Sequence, residues 1–443
     1  MPASRPDLSL RGQHPGSAAG SEGSPGLVRS GMVTYLFAGL TLVANLIASV
    51  VTARALGPDG RGVTVALVTV TQLAGFLCAL GVAQSLSYYI ARRPQDGPSL
   101  LTTWVLMLLP LTAVAIAVTE LLLPTIFAEA GEQAVEVGRW YVFAIVLVVA
   151  LELNYGLLLG TEDFLLYNAL RLAQPVLTTA SLLILWLLDR LTVESTLIAA
   201  IAASVAVLAV GLGRAVARIG VGPLAPALGL RAAWYGIRGQ GSTVANNVTA
   251  RLDVAMLPAF VSAGSVGLYS VATNLSLIVY QLSNTFAGLL LPSAARDPER
   301  GPIKVLGSLW ASLLIAALAA LALALFAGPL LGLVYGDAFR DAAEPLVLLL
   351  PGSVLFAGSS ILAAGVFAAG RPLTATLAQV LGMVVTVVGL SVFLSSGGTT
   401  AAALVSSAAY ATICVAMLVA YKTVSGLRWA SFVPTPARVR ALL

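Results

Sequence analysis

Long runs of apolar residues, separated by short polar segments, fill most of the chain between Met32 and Tyr421. Each run has about 20 residues, the length that a helix needs to cross the roughly 30 Å hydrocarbon core of a bilayer. Runs such as 306–325 are apolar on every face, whereas barrel strands are shorter and alternate polar with apolar residues. The pattern therefore predicts an all-α polytopic membrane protein. About twelve spans are predicted: 32–53, 64–90, 99–123, 138–159, 165–188, 192–213, 234–260, 266–291, 303–326, 342–368, 373–395 and 400–421.

Composition agrees with this class, because 58% of the residues are hydrophobic and only 10% are charged. Residues 1–30 are different: they combine prolines with Gly and Ser, and they lack the apolar core of a signal peptide. The predicted organisation is a disordered cytoplasmic tail (1–30), an N-terminal six-helix lobe (31–220), a C-terminal six-helix lobe (221–425) and a cytoplasmic tail (426–443).

Orientation is predicted from the Lys and Arg residues, which concentrate in cytoplasmic loops. With the N-terminus inside, 17 of the 24 basic residues fall in inner segments, five fall in outer loops, and Arg171 and Arg251 lie within spans. This asymmetry supports twelve spans with both termini in the cytoplasm. The formal net charge of +5 is then a signature of topology and not of nucleic-acid binding.

Little in the sequence supports a metal, a haem group or a disulfide framework. The only histidine, His14, lies in the N-terminal tail, and the two cysteines, Cys78 and Cys414, lie in apolar spans of different halves. We therefore predict no cofactor and no metal, and carboxylates are the only proton carriers expected within the membrane.

A weak repeat relates the two halves. Gly62-Val63 follows the first span and Gly267-Leu268 follows the seventh, and each is followed by a helix that ends in Ala-Arg. Because six spans separate the copies, both halves have the same orientation in the membrane. Such a pair of bundles predicts a cleft between the lobes and transport by alternating access.

Four segments of the chain resemble motifs of one protein family, and they occur in the same order as in that family. Residues 53–63 (Ala-Arg-Ala-Leu-Gly-Pro-Asp-Gly-Arg-Gly-Val) are similar to the first motif of the polysaccharide biosynthesis membrane proteins, which are lipid-linked oligosaccharide flippases of the multidrug/oligosaccharidyl-lipid/polysaccharide exporter superfamily. The resemblance continues through 160–175, 251–272 and 335–372 and covers nearly all of residues 31–422.

The resemblance implies a V-shaped pair of six-helix lobes. It also implies a transporter that moves an undecaprenyl-diphosphate-linked oligosaccharide from the inner to the outer leaflet of a bacterial plasma membrane, for cell-surface polysaccharide synthesis. The bilayer, the lipid-linked substrate, a polysaccharide polymerase and other glycan-assembly proteins are the partners it suggests.

Candidate substrate-binding residues are the polar groups that would be costly in lipid. The seventh span is the most polar, and Arg251 within it is the first candidate to grip phosphate oxygens, with a structural ion pair as the alternative. Asp253 points away from Arg251 on that helix, so it needs another partner or carries a proton or ion. The remaining candidates, each with a structural or topological alternative, are Arg171, Glu152, Asn246, Asn247, Arg54 and Arg238.

Three alternatives remain open at this stage. An ion-coupled multidrug exporter of the same superfamily would typically carry an acid in the first span, where this chain has Asn45. A lipid II flippase usually has fourteen spans. An integral-membrane polymerase or glycosyltransferase would usually need a large outer loop or an exposed acidic motif, whereas the predicted outer loops are short and their acids are scattered. No nucleophile, base and orienting group converge. No catalytic residue is therefore predicted.

Overall fold

The computed structural model describes residues 25–296 and 301–433, and within these ranges the chain is helical with no strand. His14 and most of both predicted tails lie outside the described residues. The α-helices are α1 (Pro25–Cys78), α2 (Val82–Arg92), α3 (Gly97–Ile126), α4 (Glu132–Tyr141), α5 (Ile145–Gly160), α6 (Phe164–Leu187), α7 (Val193–Ile219), α8 (Pro226–Met256), α9 (Ala263–Arg296), α10 (Gly301–Leu325), α11 (Ala327–Tyr335), α12 (Ala343–Ala368) and α13 (Pro372–Ser425). Short 3₁₀ turns occupy Pro94–Asp96, Val142–Ala144, Leu257–Ala259, Asp337–Ala342 and Trp429–Phe432.

The twelve predicted spans correspond to helices in the structure. Nine segments of the described chain are long and apolar enough to cross a membrane. Two of them, α1 and α13, each supply two spans, because Gly57 and Gly398 break the helix with non-helical torsions. The seventh span, α8, is not among the nine because of its polar residues, yet it is one continuous helix. The all-α, twelve-span fold is confirmed.

The break in α1 at Gly57 follows from the local sequence. Gly57 has φ +66°, which a residue without Cβ adopts at little cost, and Pro58 then starts the second arm, where its missing N–H would have no helical partner. The first arm (25–56) and the second arm (58–78) are thus joined by a tight elbow. This elbow lies within the first family-like motif, residues 53–63.

Several boundaries differ from the prediction. Helix α1 already begins at Pro25, inside the predicted tail of 1–30. The predicted span 64–90 is wrong as a single helix, because Leu80 (φ +48°) and Gly81 (φ +73°) separate α1 from α2. Helix α11 occupies a stretch predicted as loop, since nine apolar residues are too few to register as a span.

The two six-helix lobes, α1–α7 and α8–α13, pack against each other mainly through α1 and α9. Helix α8 contacts α1, α2 and α3 of the first lobe and α13 of its own lobe. One cluster of buried apolar side chains runs through both lobes and includes Ala53, Leu67, Val266 and Val271. The interface between the lobes is therefore continuous with the hydrophobic core.

The lobes approach each other closely at two places on α1 and α2. At the elbow end, an ideal Cβ on Gly62 would lie 1.8 Å from the carbonyl oxygen of Ala263, and one on Gly267 would lie 2.0 Å from that of Pro58. Toward the other end, a Cβ on Gly81 would lie 2.3 Å from the carbonyl oxygen of Gly236. Both approaches are backbone against backbone, and both require glycine.

We call the end of the interface near Gly81 and Gly236 the basic end, because exposed arginines concentrate there. Arg214 and Arg218 at the end of α7 pair with Asp163, at N–O distances of 3.6 and 3.8 Å. Arg92 and Arg93 end α2, and the backbone N–H of Gly222, just after α7, donates to the carbonyl of Pro98, five residues after Arg93. The elbow end and the basic end are thus the two mouths of the interface between the lobes.

Candidate functional site

A cavity of about 250 Å³ lies between the lobes and is lined by four helices. Polar groups make up a large share of its wall, which is unusual among residues of membrane spans. Its lining residues are Gln72, Leu73 and Phe76 from α1, Val148, Leu151, Glu152 and Tyr155 from α5, Gln174 from α6, and Asn247 and Arg251 from α8.

Helical spacing explains why these side chains converge. Glu152 lies four residues after Val148 and three before Tyr155, so the three lie on one face of α5. Asn247 and Arg251 are likewise one turn apart on α8. Helices α5 and α8 therefore each direct one row of side chains into the cavity.

The cavity lies midway between the two close approaches. Gln72 comes ten residues after Gly62 on α1 and nine residues before Gly81, which lies in the turn just after that helix. At 1.5 Å per residue, each approach is about 15 Å away along the axis. A bound molecule would therefore lie near the middle of the helices, separated from both mouths by a glycine contact.

Arg251 is the cation of the cavity. Its side chain is exposed although it belongs to the middle of a span, and Nη1 donates a hydrogen bond to Oε1 of Gln72 at 3.3 Å. Among the described residues it forms no ion pair with a carboxylate. Its remaining N–H donors are available to a bound anion, which they could grip in pairs.

Two polar side chains near Arg251 on α8 hydrogen-bond to backbone carbonyls one turn earlier on the same helix. The amide of Asn247 donates to the carbonyl of Thr243 at 2.9 Å, and the hydroxyl of Thr249 donates to the carbonyl of Ala245 at 2.8 Å. The helix ends at Met256, just before the 3₁₀ turn that contains Pro258.

The opposite wall carries the acid and a chain of amide and hydroxyl groups. Glu152 is partly buried in this wall. The Tyr155 hydroxyl donates to Oε1 of Gln174 at 3.4 Å, and Nε2 of Gln174 donates to the Ser204 hydroxyl at 3.0 Å. These bonds fix the amide, so the wall presents oriented donors and acceptors of the kind that bind hydroxyl-rich ligands.

Arg171 lies behind this wall and does not line the cavity. It donates to the Tyr167 hydroxyl at 2.9 Å and lies over that ring, with 5.4 Å between the guanidinium carbon and the ring centroid. Tyr167 packs edge-on against Tyr155 at 5.7 Å. Arg171 is close enough for its charge to act on Glu152 without a direct ion pair.

Asp253 is enclosed in the second lobe. It is fully buried, and its carboxylate accepts hydrogen bonds from Tyr269 at 2.5 Å, from Ser406 at 2.9 Å and from the backbone N–H of Val254 at 2.7 Å. Its partners are therefore neutral donors from α8, α9 and α13. The prediction that Asp253 cannot face Arg251 agrees with this placement.

The other candidates lie outside the cavity. Asn246 hydrogen-bonds Tyr280 of α9, away from Asn247 on the neighbouring face. Arg54 is at the elbow end, where Nε donates to the carbonyl of Val334 at 2.8 Å. Arg238 is at the basic end, 4.8 Å from the centroid of the Trp234 ring. Of the eight predicted residues, Arg251, Glu152 and Asn247 line the cavity.

Gln72, Gln174 and Tyr155 line the cavity but were not among the residues predicted from the sequence. A signal existed for the two glutamines, since an uncharged amide within an apolar span is itself unfavourable in lipid. Arg61 is one of the five basic residues that the sequence places in outer loops, and no role is predicted for it. It is 4% exposed, and it donates to the hydroxyls of Thr52 at 2.5 Å and Ser49 at 2.9 Å across the elbow.

The sequence matches the family model described as polysaccharide biosynthesis protein over residues 27–296. No curated protein matches the sequence.

Solved structures share the fold at low identity. A lipid II flippase, MurJ, in an inward closed conformation is 12% identical with a TM-score of 0.72, covering 90% of this chain and 89% of that one. An inward-facing multidrug resistance MATE transporter of the MOP superfamily is 15% identical with a TM-score of 0.66, covering 91% and 95%. The MATE multidrug transporter DinF-BH is 15% identical with a TM-score of 0.61, covering 94% and 100%. The chain has the fold of these transporters.

Proposed function

Because the chain belongs to the polysaccharide biosynthesis protein family, we propose that it moves an undecaprenyl-diphosphate-linked oligosaccharide from the inner to the outer leaflet of a bacterial plasma membrane. The substrate crosses without covalent change. The two lobes, 31–220 and 221–425, alternate access to the cavity, and the basic end and both termini face the cytoplasm.

The observation that carries this proposal is the accessible Arg251 in the amide-lined cavity. A diphosphate brings negative charge into the membrane, which is costly unless a cation and hydrogen-bond donors replace its water. Arg251 supplies the cation, and Gln72, Gln174 and Asn247 supply amides for sugar hydroxyls. Glu152 on the opposite wall would accept hydrogen bonds from the same sugars.

The size of the cavity supports a moving transporter. At about 250 Å³ it is smaller than the roughly 300–1,000 Å³ of ordinary ligand pockets, and an oligosaccharide needs at least that range. The lobes must therefore part before the substrate fits. The glycine contacts on either side of the cavity are the places where the lobes can part without moving a large side chain.

The experiment is reconstitution of the full chain in liposomes that contain a fluorescent undecaprenyl-diphosphate oligosaccharide, with its leaflet exposure followed over time. We expect protein-dependent movement that Arg251→Ala reduces about tenfold or more, in line with the loss of a charged partner. Arg231→Ala, on the same helix but outside the cavity, is the matched control and should retain activity.

Other cargoes are tested in the same liposomes. Movement of lipid II in preference to the oligosaccharide lipid would assign the protein a lipid II flippase activity. Dye efflux without movement of either lipid would assign it a multidrug exporter activity. Unchanged glycolipid movement by Arg251→Ala would remove Arg251 from the binding site.

A further inference from the structure

The basic end carries two similar arginine and aromatic groups, one from each lobe. Helix α2 contributes Tyr88 and Arg92, and α8 contributes Tyr235 and Arg238. The rings of Tyr88 and Tyr235 stack across the lobe boundary with centroids 4.3 Å apart and planes 20° apart. Both tyrosines remain partly exposed, at 36% and 39%. We call these four residues the mouth cluster.

Each arginine lies beside an aromatic ring. Arg92 donates to the Tyr88 hydroxyl at 2.5 Å and also lies near the ring of Tyr88, and Arg238 lies over Trp234. Neither arginine forms an ion pair within the described residues. Two cations are therefore left without a carboxylate at one opening.

Aromatic and basic side chains are common where membrane helices meet water, but an interfacial belt anchors single helices. The mouth cluster differs because its central stack joins the two lobes. It also adjoins the contact between Gly81 and Gly236, and Leu80 next to it has φ +48°, an unfavourable value for a branched side chain. Strained backbone of this kind is often found at moving or functional sites.

We propose that Tyr88, Arg92, Tyr235 and Arg238 form the first binding site for the diphosphate-sugar head group at the basic end, and that the stacked tyrosines are its closed state. This inference rests on the proposed function, because it assumes a lipid-borne diphosphate that carries sugars. When the lobes part, the head group replaces the ring-to-ring contact.

The chemistry of the cluster fits that head group. The face of an aromatic ring is electronegative, so it attracts the slightly positive C–H groups on the face of a sugar ring. The guanidinium groups of Arg92 and Arg238 match phosphate oxygens. A sugar adjoining a diphosphate thus meets one kind of partner in the tyrosines and the other in the arginines.

The position of the cluster fits a first site and not the central one. Tyr235 comes twelve residues before Asn247 on α8, about 18 Å from the cavity along the helix axis. The contact between Gly81 and Gly236 lies beside the cluster on the way to the cavity. A head group held at the mouth would therefore wait outside the closed contact.

The test is equilibrium binding to the full chain in lipid nanodiscs, with two probes that differ only in sugars. One probe is undecaprenyl diphosphate, and the other is the same lipid linked to a trisaccharide. The measured quantity is the ratio of their dissociation constants. This ratio cancels any change in how readily the mouth opens, since both lipids need the same opening.

We expect Tyr88→Leu/Tyr235→Leu to lower the preference for the sugar-bearing lipid about fivefold, the order of an aromatic contact. Arg92→Gln/Arg238→Gln should weaken the binding of both lipids to a similar extent, by about tenfold. The matched control is Lys422→Gln/Trp429→Leu, which removes a cation–aromatic pair outside the lobe boundary and should change neither constant.

An unchanged ratio in a well-folded tyrosine variant would overturn the inference, as would equal binding of inorganic diphosphate and the lipid probes. Failure of the inference about the mouth cluster can be distinguished from failure of the proposed function. If the wild type neither binds nor moves the glycolipid, the proposed function fails. If the wild type moves it and the tyrosine variant keeps the ratio, only the mouth site fails.

Discussion

The elbow end and the basic end close the same interface by different means. At the elbow end, Gly62 and Gly267 bring backbone onto backbone, and the buried Arg61 links the two arms of α1. At the basic end, the contact of Gly81 with Gly236 is flanked by exposed rings and by a strained Leu80. The first closure is sealed by buried groups, and the second is bordered by solvent-accessible ones.

This difference indicates which end yields first. Separating the elbow end would expose a buried arginine and the two hydroxyls that it hydrogen-bonds, whereas separating the basic end exposes side chains that are already partly in contact with water. The stack at the basic end can also be replaced by a ligand. We therefore expect the basic end to open more readily than the elbow end.

The largest effect is expected from fixing the basic end shut. Tyr88→Cys/Tyr235→Cys, in a background with Cys78→Ser and Cys414→Ser, would be joined by a short, reducible thiol cross-linker. Transport in liposomes should fall more than tenfold and return on reduction, because the lobes could no longer part at this mouth.

The two single-cysteine variants, treated with the same reagent, are the controls and should keep their untreated rates. If the cross-linked protein transports normally, the lobes do not separate at the basic end, and the contrast between the two ends is wrong.

The next effect concerns the elbow end. Gly62→Ala would place a methyl group 1.8 Å from the Ala263 carbonyl oxygen, so the lobes must shift apart there. Overpacking of this kind usually costs about 1–3 kcal/mol. Transport should fall about tenfold, with a lower Tm measured by thermal unfolding in detergent.

Gly39→Ala is the matched control on the same helix, because nothing lies within 4 Å of a Cβ at Gly39. It should leave Tm and transport unchanged. Equal behaviour of the two variants would mean that the elbow contact is loose, contrary to the proposed difference between the ends.

The fold could be predicted from the sequence because spans depend on local composition. Apolar length and glycine and proline breaks give the helices directly, and the elbow follows from Gly57 and Pro58. The break at Leu80 could not be predicted in this way, since leucine is a good helix former and tertiary contacts decide its torsions. The short helix α11 was not predicted for a related reason, because nine residues are too few to be recognised as a span.

The cavity was less predictable, because it depends on which helices face each other. Polarity identified α8, and helical spacing separated Asp253 from Arg251, so that part of the site followed from one helix alone. Tyr155 and the two glutamines belong to helices that are otherwise apolar, and only the packed lobes bring them to Arg251. The same limit applies to Arg61, whose partners lie on the other side of the elbow.

A smaller effect tests how the elbow is held. Arg61→Gln would remove the bonds to Ser49 and Thr52 at a site that is 4% exposed. Buried hydroxyls would lose a charged donor, which typically costs more than a neutral one. We expect Tm to fall by about 2–4 °C, with a severalfold loss of transport. A variant with unchanged Tm would show that the arms of α1 are held by packing alone.

The smallest effect is expected at Arg54, another arginine of the elbow end. It donates to carbonyls of Leu333 and Val334 in the last turn of α11, but its side chain is exposed, so water can take its place at those carbonyls. Arg54→Gln should therefore change Tm by less than about 1 °C and transport by less than about twofold. Thermal unfolding and transport measured beside Arg61→Gln give the comparison under identical conditions. A loss as large as that of Arg61→Gln would mean that the contact with α11 holds the elbow end closed more than its buried arginine does.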